Sequence, residues 1–489
     1  MMAIPKPEDY DVSVENGFLS SEPPLQALPD AYYAPWEYIV KNLQGLILSK
    51  RLREVVDKLP VLSTDRLSGE PQWRRAYSVL AFITHAYIWG GDKPLEWVPP
   101  PLTVPFMATC KHLELPLVAT YAGLVLWNWK PIFGDERIDT LANLDMIDTF
   151  TGSLDEKWFY LISVAIEARG ASLIPLMLDA IQAAQRGDRV TVTECLRSFA
   201  ERLDELGAML VRMYDNCDPH VFYHRIRPFL AGSKNMTDAG LPNGVVFDNG
   251  GPINKQRYVQ FSGGSNAQSS LIQFFDLALS VEHRPTGTKA NDTRKAQSKQ
   301  KPAEPSFIHE MRKYMPGPHA RFLEAVGRVA NIRAFVEQHK YDRSLSVAFD
   351  ACLAMLSAFR DKHIQMVSRY IIIKAGEAKK NAAKADQKKE GVSMDLPLRP
   401  KSAAGTKTEQ EKERKNLRGT GGTSLIPFLR QARDETGEPA VDAWARRVLS
   451  KGRNNDGGRR ERRESKVEIQ GLASVWTVKD SEMGGLCLY

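Results

Sequence analysis

The sequence predicts an all-α protein, and three observations carry that reading. From Leu345 to Ile373, the residues Leu345, Phe349, Cys352, Leu356, Phe359, His363, Met366 and Tyr370 recur at spacings of 4, 3, 4, 3, 4, 3 and 4. That is the repeat of a helix burying one stripe along its length. Cys195, Phe199, Leu203, Leu206, Leu210 and Met213 repeat the pattern between Val192 and Tyr214. The alternation that marks a half-buried strand is rare and short throughout.

Every member of the first stripe except His363 is apolar or aromatic. An imidazole is therefore aimed into the core, where a polar ring must find a partner or cost free energy. Spacing leaves two partners open: a protein hydrogen-bonding group, the commoner case, or a metal ion.

Taken in order, residues 1–35 are Pro-rich and irregular, and helical stretches follow in Glu37–Leu48 and Arg74–Trp89. The run Trp97-Val98-Pro99-Pro100-Pro101-Leu102 is expected to end them, since consecutive prolines cannot continue a helix. These residues are expected to form a small helical domain over 1–115. A larger helical domain is expected over 116–432. It would hold a helix from Val118 to Trp129, a kinked or paired helix from Lys157 to Arg186 broken near Gly170 and Pro175, and the helix Val192–Tyr214. The small, polar turn Phe261–Ser270 would feed a helix from Leu271 to Val281, with Ser269 or Ser270 near its cap. Further helices are read over Phe307–Tyr314, Ala320–Gln338, Leu345–Ile373 and Leu425–Ala432. Residues 374–418 are low in complexity and read as a long mobile loop, and 433–489 as a weakly ordered C-terminal extension.

The 489 residues are 43% hydrophobic, enough for a sizeable core. The net charge of +7 is not spread evenly. Lys374–Arg418 carries +6, Lys451–Lys466 carries +4 and Thr286–Glu304 carries +3, which leaves the remainder mildly acidic. Those basic segments are polar and poor in aromatics, so they read as solvated linkers and no nucleic-acid partner is expected. The five cysteines lack C-x-x-C spacing, which argues for a reducing compartment and against a zinc site. The N-terminus shows no secretory h-region, and the longest apolar run, Trp158–Ile166, is short of a membrane span. A cytoplasmic, membrane-free protein, acting as a monomer, is expected.

Among chemistry-bearing motifs, HExxH, the Walker-type loop, GxSxG and the Rossmann glycine signature are all missing from the sequence. Arg227 stands in apolar company after Phe222-Tyr223 and before Pro228-Phe229. Such an Arg needs an acidic partner, either a structural carboxylate or an anionic ligand. Arg360 lies three residues before His363, on nearly the same helix face. Gly419-Thr420-Gly421-Gly422-Thr423 is glycine-rich but lacks the lysine of a phosphate loop.

Five segments in order, Phe222–Arg227, Ser262–Ser270, Tyr314-Met315-Pro316-Gly317-Pro318-His319, His363–Tyr370 and Gly419–Thr423, resemble indoleamine 2,3-dioxygenase, of the fungal type. The resemblance covers roughly residues 30 to 432. It implies a b-type haem, ferrous in the active form, in the larger domain. His363 would hold the iron and Arg360 would meet a propionate, with Gly264 and Ser265 passing over the haem edge. The substrate would be L-tryptophan, with both atoms of O₂ inserted across the indole C2–C3 bond to give N-formylkynurenine, the first step of the kynurenine pathway. Arg227 would bind the substrate carboxylate, and Phe222 and Tyr223 would pack on the indole. Tyr121, Leu124, Val125, Phe159 and Ser163 would wall the distal pocket, and Ser265 and Thr420 would contact the substrate, Thr420 at its ammonium. An electron donor is needed to reduce the haem, and no protein general base is expected. Leu124 and Asn266 stand where the animal enzymes carry smaller residues, and Tyr223 where they carry Phe. A haem protein that binds O₂ with little or no tryptophan turnover is therefore the alternative, and a cofactor-free helical scaffold a third.

Overall fold

A computed structural model describes residues 2–288, 306–389, 419–420, 424–450, 467–471 and 474–478. Met1–Ser450 form one compact unit and Lys451–Tyr489 a second. In the second unit the described residues form an antiparallel pair, Val467–Gly471 with Ser474–Val478.

Helices dominate the first unit, as the periodicity predicts. Its opening helices longer than four residues are α1 (Ala34–Lys41), α2 (Leu43–Leu48), α3 (Leu52–Asp57), α4 (Gly69–Trp89) and α5 (Pro100–Leu113). The prolines expected only to terminate helix in fact open α5, with Pro at its first positions. A proline there gives up an N–H that has no intrahelical partner anyway, and its fixed φ already suits the helix. The helix expected over Val118–Trp129 is a correction as well. Only a π-helical turn, Ala122–Leu126, forms there, and Trp129–Pro131 pairs in antiparallel register with Leu144–Met146. A second small sheet joins Trp97–Val98 in parallel to Val245–Phe247, which pairs with Tyr258–Val259.

The kinked-or-paired alternative resolves into two helices, α6 (Leu154–Gly170) and α7 (Leu173–Arg186). Ser153 caps α6, its hydroxyl accepting from the Glu156 amide at 3.2 Å. Glu156 reaches back to accept from the Phe150 amide at 2.8 Å, so a first-turn amide and an amide of the loop leading in are satisfied reciprocally, in the manner of a capping box. At the α6 terminus a Cβ on Gly170 would lie 2.3 Å from Leu271 Cδ2, so the absence of a side chain is what allows the close approach. By composition Leu154–Arg186 is apolar enough to cross a membrane, yet 67% of its most apolar window is buried within the protein, as in a core helix.

The long helices α8 (Arg189–Val211) and α13 (Arg343–Val367) pack along one another. Between them in sequence come α9 (Ser270–Ala278), α10 (Phe307–Met311), α11 (Gly317–Val329) and α12 (Ile332–Gln338). Leu345, Phe349, Cys352 and Leu356, the first half of the stripe, are fully buried. Helix does not stop at Ile373. A π-helical segment, Ser368–Ile373, runs into α14 (Lys374–Lys389), which corrects the first part of the expected loop. Residues 390–418 lie outside the described residues, as do Gly421–Thr423 and most of Thr286–Glu304. The boundary expected at 432 falls inside α15 (Leu425–Thr436), and α16 (Ala443–Ser450) continues the same compact unit.

A buried ion cluster ties the start of the chain to the core. Arg75 on α4 donates to Glu37 on α1 at 2.6 Å and also pairs with Asp148. Cys110, Cys195, Cys217 and Cys352 are free and buried, and Cys487 lies outside the described residues.

Candidate functional site

His363 stands where two lobes of one cavity meet. A turn beyond it, Met366, Val367 and Tyr370 face the first lobe, while Phe359 and Arg360, a turn before, face the second. Tyr121, Ser163, Asn266 and Ala267 belong to both, so the two adjoin along a shared wall. The lobes enclose about 1100 Å³ and 870 Å³ of space not filled by atoms, their mouths included.

The first lobe is walled by three π-helical turns. Ala122–Leu126 presents Leu124 and Val125, Phe222–Ile226 presents Phe222, and Ser368–Ile373 presents Tyr370 and Ile371. A π-turn carries one residue more than the α-helical hydrogen-bond pattern allows, and such turns cluster at functional sites. Phe159 and Phe222 meet at 4.9 Å between ring centroids, and Phe222 meets Tyr370 edge-on at 5.6 Å. Arg227 follows its π-turn directly and enters the same lobe. Burial holds its pKa below the ordinary value, with partial relief from the Tyr223 hydroxyl.

The turn Gly263–Gln268 forms the rim. Gln268 holds it, donating to the Gly263 carbonyl at 2.9 Å while accepting from the Tyr121 amide at 2.9 Å. A Cβ on Gly264 would lie 2.6 Å from Leu124 Cδ1, so glycine lets Leu124 lie against the turn. Thr420 docks here: its carbonyl accepts from the Gly263 amide at 3.1 Å. Its hydroxyl donates to the Gly264 carbonyl at 2.9 Å.

Tyr121, Leu124, Val125, Phe159 and Ser163 therefore line one lobe together. Phe222, Arg227, Gly264, Ser265 and Thr420 join them there. Tyr223 is placed differently. It lies outside the lining, its ring 5.4 Å beneath the Arg227 guanidinium, a cation–π contact. Arg360 faces the second lobe, and its Nη2 donates to both oxygens of Asp276 at 2.7 Å.

Sequence reading missed Asp276, His283, Glu435 and Glu167. Asp276 and Glu167 could have been found by the signal that found His363, a polar residue inside an apolar helix. Glu167 on α6 is buried behind the cavity wall and accepts from Tyr121 Oη at 3.0 Å and Ser269 Oγ at 2.7 Å. Its other oxygen has no hydrogen-bond partner among the described residues. Burial pushes its pKa up to about 7, against the two hydroxyls that lower it. A carboxyl raised in the folded state contributes stability that is complete below its unfolded value and lost as pH rises through the folded one. Chemical denaturation of the apoprotein should thus show a loss of about 3 kcal/mol between pH 4.5 and 8 from this group. Glu167→Gln should remove that part of the pH dependence, and an unchanged profile would refute the assignment.

The surroundings of His363 fit a metal-bearing cofactor. Its ring makes no hydrogen bond among the described residues. Burial and, after it, the Arg360 guanidinium pull its pKa down to about 4, so the ring is neutral and keeps a lone pair for a metal. Among the described residues no group of three or more His, Cys, Asp or Glu could hold an ion. A metal at His363 must bring its other ligands with it, as iron does in haem. Fold and site are those of a mostly helical protein whose buried histidine fits a haem iron, beside an apolar lobe that also takes in the Arg227 guanidinium.

Comparison with known proteins gives the family. Residues 6–439 match the indoleamine 2,3-dioxygenase family. The chain is 39% identical over 433 residues to indoleamine 2,3-dioxygenase qulI of Penicillium citrinum, covering 87% of each chain. It is 38% identical to the indoleamine 2,3-dioxygenase of Saccharomyces cerevisiae over 89% of this chain and 94% of the relative. It is likewise 38% identical to 6-hydroxytryptophan 2,3-dioxygenase fscD of Fusarium equiseti, over 88% and 96%. The chain belongs to the indoleamine 2,3-dioxygenase family, whose members are haem-dependent dioxygenases.

Proposed function

We propose that the protein inserts both atoms of O₂ across the indole C2–C3 bond of L-tryptophan to give N-formylkynurenine, with His363 as the iron ligand and Arg227 as the carboxylate anchor. One observation carries this reading: a neutral imidazole without a hydrogen bond and a desolvated guanidinium line the same apolar lobe.

When bound, ferrous haem supplies the redox chemistry that makes O₂ reactive. The chain supplies everything around it. Arg227, always charged and short of water, gains from an anion, and a carboxylate matches its planar fork. Tyr223 beneath it keeps the fork in place. Leu124, Val125, Phe159 and Phe222 exclude water and leave a slot suited to a flat indole. The Thr420 hydroxyl, donating to Gly264, keeps lone pairs that can accept from the substrate ammonium. Fixing both ends of the amino-acid moiety turns remote binding energy into orientation of the reacting bond. Arg360 on the second lobe is the cation for a haem propionate.

The partners are L-tryptophan, O₂ and an electron donor, and we infer a monomer in the cytoplasm. Hemin-loaded protein, reduced and then given O₂ and L-tryptophan, should build up N-formylkynurenine absorbance, with 6-hydroxytryptophan as a comparison substrate. A haem spectrum without product at any substrate level would leave only the O₂-binding alternative.

A further inference from the structure

Arg360 is the midpoint of a longer charge chain. Its Nη1 bonds the Thr436 hydroxyl on α15, and its Nη2 holds Asp276 on α9. Asp276 Oδ2 lies 3.1 Å from His283 Nε2, and His283 Nδ1 lies 2.8 Å from Glu435 Oε2 on α15. The second Glu435 oxygen accepts from the Arg284 amide at 3.1 Å and from Gln431 Nε2 at 2.8 Å. Asp276, His283, Glu435 and Arg360 are each no more than 9% exposed.

A buried chain of this kind is stable only when its charges balance, because an uncompensated buried charge is strongly unfavourable. Two carboxylates, one guanidinium and a protonated His283 sum to zero. Removing the His283 charge leaves an excess negative charge beside Arg360. An anionic cofactor group approaching Arg360 would then be repelled. Burial works against charge on His283, but Asp276 and Glu435 outweigh it and hold the pKa above its ordinary value. The same arrangement keeps Asp276 low despite burial, chiefly through Arg360. Arg284 adds a cation 3.5 Å from Glu435 and pairs with Glu438, so these two further charges cancel; Glu282 beside His283, and Arg312 and His309 from the α10 side, are other ionisable groups near the chain.

The chain also spans the fold. Asp276 lies in the last turn of the helix that follows the rim turn, and Glu435 and Thr436 sit on the first helix after Thr420. We propose that His283 and Glu435 are positioning residues for the cofactor: through Asp276 they set the charge and place of the Arg360 guanidinium and fasten α15 to the helix carrying His363. This rests on the haem reading above. It assigns a role to two residues outside the cavity lining.

The test is haem loss from the full-length holoprotein to excess apomyoglobin, followed in the Soret region. Removing an outer partner of a metal site typically weakens it roughly 10–100-fold, and His283→Leu should release haem faster by that order. The spectrum of the remaining holoprotein should be unchanged, since His363 is untouched. His283→Lys restores a cation between the carboxylates and should recover slow release. Should the Leu variant fail to fold, His283→Gln, neutral and of similar size, should show the same acceleration. Glu37→Gln, in the distant Arg75 cluster, controls for general loosening. Unchanged release from the neutral variants, or equal acceleration by Glu37→Gln, overturns the positioning role. Failure of the unaltered protein to take up hemin overturns the haem reading itself, a separate and earlier outcome.

Discussion

His363→Ala should leave hemin-treated protein without its Soret band and without measurable turnover. Loss of a mere outer-shell partner weakens a metal site roughly 10–100-fold, and loss of the protein's iron ligand must exceed that. Among the described residues, no other histidine or cysteine lines either lobe to take over. Stability of the apoprotein should change little by comparison, because the ring faces the cavity and has no hydrogen bond to forfeit. Added imidazole should partly restore the spectrum by entering the space left behind. Absorbance and iron content of the purified variant decide the matter. A normal Soret band would mean that iron is held elsewhere, and that His363 is only a core histidine.

Arg227→Ala should raise KM for L-tryptophan while sparing haem content. Truncating one partner of a desolvated, hydrogen-bonded charge pair costs about 2–5 kcal/mol, or roughly 30-fold to several thousand-fold in kcat/KM. Arg227→Lys should fall between, since an ammonium cannot offer two parallel N–H groups to a carboxylate. The sharper measurement is discrimination. Tryptamine, which lacks the carboxylate, should be used poorly by the unaltered protein and lose little further in the Ala variant. If L-tryptophan kinetics are unchanged in Arg227→Ala, the anchor lies elsewhere and the orientation of the indole must be rethought.

Several features were legible before any coordinates because they are local. The stripe on α13 appears at its expected spacing, and the same apolar count that buries Leu345 and Leu356 aims His363 inward. The capping serine of α9 was legible for the same reason, and it is Ser269. Errors fell where two local rules compete. Lys374–Lys389 has no apolar stripe and so reads as loop, but it is rich in Ala and Lys, among the better helix formers. The prolines before Leu102 read as a stop, yet they are equally suited to a start. The π-turns gave no signal, since one extra residue per turn disturbs a periodicity only briefly.

By itself, then, the order of side chains determined the helical class, the inward imidazole and the ordered motifs that identify the family. Tertiary structure decided the charge environment. Arg360 meets Asp276 from 84 residues away and His283 meets Glu435 across 152. Glu167 is held by Ser269 from 102 residues off. Helical periodicity says which way a side chain points, because that depends on neighbours three and four residues along. What it then meets, and whether its charge is matched there, depends on the packing of separate helices, which no local pattern encodes.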